Sequence, residues 1–151
     1  MFKSPDSRLS ASNSAVAASE HFLVPITLQS ESRTSEAALN GLNQSFNEVS
    51  GFVSKLTKAA PGATLVSFDE NVSPKISRVE MSLNGKEYQY DLTFALRCPF
   101  SKQQDFWERI RLISSVYDQL GELSTGFSER KGIKLILTEA RLAQQNDPER
   151  T

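Results

Sequence analysis

The chain is poor in the residues that cross-link proteins and carry most catalysis: 151 residues include one cysteine, one histidine and one tryptophan. A single cysteine cannot close an internal disulfide, so disulfide-scaffold folds are excluded. Cys98 and His21 together are too few for a zinc site of three or four Cys and His ligands, and no metal site is expected. The seven glycines are scattered and none falls in the G-x-G-x-x-G or G-x-x-x-x-G-K spacing that cradles phosphates. Neither sign of charge dominates, with 17 Lys and Arg against 18 Asp and Glu, so there is no long-range field to gather a polyanion and nucleic acid is not an expected partner. No apolar run approaches the roughly 18 residues of a membrane span. The opening MFKSPDSRLSASNSAVAASEH lacks the apolar stretch of a secretory signal. The expectation is a cytoplasmic protein with no membrane partner.

What is present is enough for one domain with its own core. Residues 1–20 hold six serines and four alanines with few large apolar groups, and read as an unstructured tail. Residues 144–151 read as a polar tail containing Asp147-Pro148, which leaves 21–143 as a single domain. Within it, HFLVPITLQS alternates with Phe22, Val24, Ile26 and Leu28 in phase, the period of a half-buried strand. Pro25 lies out of phase and has no N–H to donate, which predicts an edge strand or a bulge.

A helix is predicted over 35–58, with Ser32 or Thr34 as N-cap and Pro61-Gly62 as the stop. Its stripe Leu39, Leu42, Phe46, Val49, Val53, Leu56 is spaced 3, 4, 3, 4 and 3. That narrow repeat suits a core face or a partner helix. Extended chain follows, interrupted near 71–74 and turned at Asn84-Gly85, a strong hairpin signal. A two-residue turn there places Leu83 opposite Lys86, Met81 opposite Tyr88 and Val79 opposite Tyr90. The second strand continues in the same phase through Leu92, Phe94, Leu96 and Cys98, while Gln89, Asp91, Thr93 and Arg97 point the other way.

After Pro99, Ser101 and Gln104 have capping-box spacing. They precede a second amphipathic helix with Phe106, Ile110, Ile113, Tyr117 and Leu120 in one stripe, joined by Trp107, Val116 and Leu123. Gly132 introduces a last strand with Ile133, Leu135 and Leu137 on one face. The order predicts an α+β split βαβ sandwich (βαββαβ, ferredoxin-like): a mostly antiparallel sheet with both helices on one face and the other face partly open.

The stretch VPITLQSESRTSEAALNGLNQSFNEVSGFVSKL, with Thr34-Ser35-Glu36-Ala37 at the helix start, resembles the SIMPL domain family. The hairpin leading into YQYDLTFALRC, then a helix, a final strand and NDPER, is similar to that family's order of elements. The likeness spans about 22–149. It implies a non-catalytic module found in oligomeric assemblies and linked to stress response, and it supplies no catalytic signature.

The residues themselves also lean away from an enzyme. No catalytic residue and no cofactor is expected. His21 is read as an exposed junction residue rather than the base of a Cys98 dyad. The partner-binding face is expected at Arg78, Glu80, Gln89, Asp91 and Arg97, for a protein partner or a homo-oligomer. The alternative is a pocket between sheet and helices near Tyr88, Tyr90, Cys98 and Trp107, for a small-molecule ligand or thiol chemistry. Tyr88 and Tyr90 are in phase with the core positions, which argues against their stacking RNA bases.

Overall fold

The computed structural model describes residues 16, 19–56, 58–66, 75–81 and 87–144. Chain order is β1 (Ser19–Ser32), α1 (Ser35–Leu56), β2 (Thr64–Val66), β3 (Lys75–Met81), β4 (Glu87–Pro99), α2 (Phe106–Ser128), β5 (Ile133–Leu137) and β6 (Arg141–Gln144). The strands form one six-stranded open sheet in which β4 and β1 are central. β2 and β3 lie end to end along the outer side of β4, and β5 and β6 likewise along β1. Every pairing among the described residues is antiparallel. This is the α+β split βαβ order that the period changes predict, with each outer ribbon divided in two.

Both helices pack on the face carrying Phe22, Val24, Ile26 and Leu28 of β1 and Phe94, Leu96 and Cys98 of β4, which meet Leu42, Val49, Val53 and Leu56 of α1 and Leu112, Val116, Leu120 and Phe127 of α2. Phe46 meets Phe94 edge to face at 5.2 Å. Each fully buried side chain of this size contributes roughly 1.5–3 kcal/mol of transfer free energy. α1 starts where the Thr34 hydroxyl accepts the Ala37 N–H at 3.1 Å. Past its end, Gly62 sits at φ +83°, a conformation that favours glycine, and a Cβ there would come 2.9 Å from the Pro99 ring.

Several expectations are corrected. β1 is a central strand, not an edge. Pro25 is tolerated because its missing N–H faces the break between β5 and β6, where its carbonyl accepts the Thr138 N–H at 3.3 Å. β1 also begins at Ser19, so Ser19 and Glu20 belong to the sheet; the rest of the predicted leader, Val16 excepted, and residues 145–151 lie outside the described residues.

The register of β3 on β4 is one residue away from the predicted hairpin: Arg78 faces Tyr90 and Val79 faces Gln89. A one-residue slip exchanges the two faces of a strand, so Arg78 joins the tyrosine side and Val79 the other. The Asn84-Gly85 turn itself lies outside the described residues. α2 starts one turn later than Ser101-Gln104 suggests. The Gln104 side chain does accept the Ser101 N–H at 2.8 Å, but the helix cap is Asp105, whose carboxylate accepts the Glu108 N–H at 2.8 Å while Glu108 accepts the Asp105 N–H at 3.0 Å.

Candidate functional site

Each core residue on β1 and β4 has a neighbour in the strand that points the other way, and those neighbours make up the sheet face opposite the helices. At its centre Leu23 and Ala95 are buried, at 5% and 0% exposure. Thr27 and Thr93 face each other in register and their hydroxyls lie 3.1 Å apart. Gln89 and Asp91 share this face, joined by a 2.9 Å bond from the Gln89 Nε2 to the Asp91 carboxylate. Val79 and Ile136, from the two outer ribbons, are 47% and 40% exposed.

Charge along this face is segregated. Glu31 and Asp91 stand toward one end of the strands, with Lys134 beside them; Arg97 and Arg141, both in register with Leu23, stand toward the other. Only Gln89, Asp91 and Arg97 of the five expected partner-binding residues therefore share one face. Arg78 lies on the other, its guanidinium 4.8 Å from the Tyr88 ring centroid, and Glu80 takes the register position opposite Tyr88.

The alternative set is not brought together. Tyr88 and Cys98 are ten positions apart on β4, about 33 Å of extended chain. The Tyr90 hydroxyl is held 2.6 Å from the Ser35 hydroxyl, and Trp107 is 61% exposed at the start of α2. Cys98 faces Phe22 with no exposure, and burial pushes its thiol up to about 12. A protonated, enclosed thiol is a poor nucleophile. His21 is 2% exposed, not an exposed junction residue, and its place opposite Pro99 puts it on the other side of the sheet from Cys98. No Cys-His dyad forms.

Two polar features escape sequence reading. A cleft of about 510 Å³ is lined by Glu31, Ser32, Arg33, Glu87, Lys131 and Gly132, drawn from three separate segments with no shared motif. There the Glu31 carboxyl is held above the usual carboxylate range, first by its hydrogen bond with Glu87, then by burial and the Glu87 charge, with Lys134 opposing. The second feature is Arg109, 6% exposed in α2, whose guanidinium donates to the carbonyls of Val16, Ser19 and Ser101 and lies 4.7 Å from the Phe100 ring centroid. Its spacing with Leu112, Val116 and Leu120 does place a charge inside an apolar stripe, and that is the signal that could have found it.

Among the described residues no three His, Cys, Asp or Glu side chains are grouped to hold a metal ion, and no helix is long and apolar enough to cross a membrane. Fold and surface together define an α+β sandwich with both helices on one face of an open sheet, whose opposite face is buried at His21, Leu23 and Ala95 and exposed at Val79 and Ile136. No protein-family model matches the chain, and no curated protein matches it either.

Proposed function

We propose that this chain is a non-catalytic protein-binding or self-assembling module of the SIMPL-like type, working through the exposed part of the sheet face opposite the helices. The observation that supports this reading is the face itself: exposed Val79 and Ile136 on its two outer ribbons, with Glu31, Asp91 and Lys134 toward one end and Arg97 and Arg141 toward the other. Such a surface suits a partner of matching charge order, including a second copy turned end for end, which would set Glu31 and Asp91 against Arg97 and Arg141.

The test is light scattering on the full chain, with a pull-down from the native source, using wild type and the surface variants Ile136→Asp and Asp91→Arg. The expected result is an oligomer or a stoichiometric partner that both variants weaken. A wild-type monomer with no partner, or an assembly indifferent to both variants, overturns the reading.

A further inference from the structure

On the helix-covered side a second surface has the features of a contact. Leu39 lies in the expected α1 stripe, yet it is 45% exposed, and Ala38 takes its place in the core. Leu39, Leu42, Asn43, Phe46 and Leu92 line an apolar depression of about 190 Å³. That is below the roughly 300 Å³ at which small-molecule pockets begin, and it has room for one large side chain.

The chain carries such a side chain. Trp107 is the most exposed large apolar residue among those described, at 61%, and its ring meets Phe106 edge to face at 5.0 Å, which leaves most of the indole in solvent. It cannot reach the depression of its own molecule. α1 begins beside the Ser32–Tyr88 end of the sheet and α2 beside the His21–Pro99 end, so Leu39 and Trp107 stand at opposite ends.

Charge supports the same match. Arg111 lies one turn after Trp107, and Glu36 one turn before Leu39, both exposed on the same helix ridges as their apolar neighbours. Among the described residues neither makes an ion pair.

We propose that Trp107 of one copy seats in the Leu39–Phe46–Leu92 depression of a second copy, with Arg111 of the first meeting Glu36 of the second. Two copies turned end for end make this contact twice. A tryptophan entering an apolar hole is the kind of anchor that dominates interface energy. The contact goes beyond the sheet-face reading and does not require it.

Trp107 is the only tryptophan, so selectively excited tryptophan emission of the full chain reports the surroundings of this one side chain. The expected result is a blue shift and several-fold weaker acrylamide quenching as concentration rises, in step with dimer formation by sedimentation. Leu39→Glu should weaken self-association about tenfold or more. Should Leu39→Glu alter the circular dichroism, charge exchange takes over: Glu36→Arg and Arg111→Glu each weaken association, and the two together restore it. Emission that stays solvent-like at every concentration overturns the proposal, and so does a double exchange no better than either single. Oligomers whose Trp107 stays fully quenchable also overturn it, while leaving the sheet-face reading intact.

Discussion

The Arg109 guanidinium donates to the Val16 carbonyl at 2.7 Å, tying together residues 93 positions apart. The same side chain takes the Ser19 and Ser101 carbonyls at 2.9 and 3.0 Å. One buried cation thus fastens the entry to β1 against the corner between β4 and α2. Arg109→Met keeps the apolar stem and removes every donor. It should cost about 2–4 kcal/mol in urea unfolding, because charged hydrogen bonds are lost and buried carbonyls are left behind. A loss under about 0.5 kcal/mol would show that the clamp is not structural.

Alkali should destabilise the protein through one enclosed acid, Cys98, and one half-buried acid, Tyr117. Burial pushes the Cys98 thiol from its ordinary 9.0 up to about 12. Burial, with the Glu139 charge second, pushes the Tyr117 hydroxyl from 10.0 to about 12 while it donates to the Thr138 carbonyl. Above the unfolded values the unfolded chain has released protons that the native one keeps, so stability falls with rising pH. The contribution is whole at neutral pH and is lost between about pH 9 and about pH 12. Urea midpoints across that window should drop, and Tyr117→Phe should flatten part of the slope. In the same molecule a thiol reagent should label Cys98 only as fast as the native state opens.

The helix cap offers a direct comparison between two candidate boxes. Asp105→Ala should cost about 1 kcal/mol, the usual loss for a working N-cap. Ser101→Ala should cost less, since its hydroxyl meets only the turn at Gln103. Equal losses in thermal unfolding would place the helix start back at Ser101.

Register can be read by substitution on β3. Val79 faces Gln89 and is 47% exposed, so Val79→Lys should change stability by no more than about 0.5 kcal/mol. Arg78→Ala should cost about 0.5–1 kcal/mol through the lost stacking on Tyr88. The predicted hairpin, with Val79 against Tyr90, reverses the order of the two effects.

Hydropathy alone revealed both helices and the main strands in their order, but not the break that divides the last strand into β5 and β6. Phe22, Val24, Ile26 and Leu28 announce β1, and Leu92 to Cys98 announce β4, because alternation on a half-buried strand is a local consequence of one wet face. The candidate site was less legible. Arg78 and Glu80 were assigned to the wrong face because a hairpin register depends on how many residues the turn absorbs, and the apolar phase tolerated the wrong count. Leu39 and Ala38 traded places for a related reason: stripe spacing marks a helix but not its exact rotation on the sheet. Arg109 and the Glu31–Glu87 pair came from segments that no local pattern connects.

What the sequence by itself determined is the α+β class, the central apolar phase of β1 and β4, and a chemistry thin in thiols, imidazoles and phosphate loops. Those follow from composition and from periods of two and 3.6 residues, which are set by neighbours along the chain. The tertiary structure alone decided that Pro25 sits mid-sheet opposite a strand break, that Cys98 is sealed and His21 turned away from it, and that Trp107 stands in solvent while Arg109 is buried. Each of those depends on which distant segment fills the space beside a side chain, and packing across the sheet supplies that information.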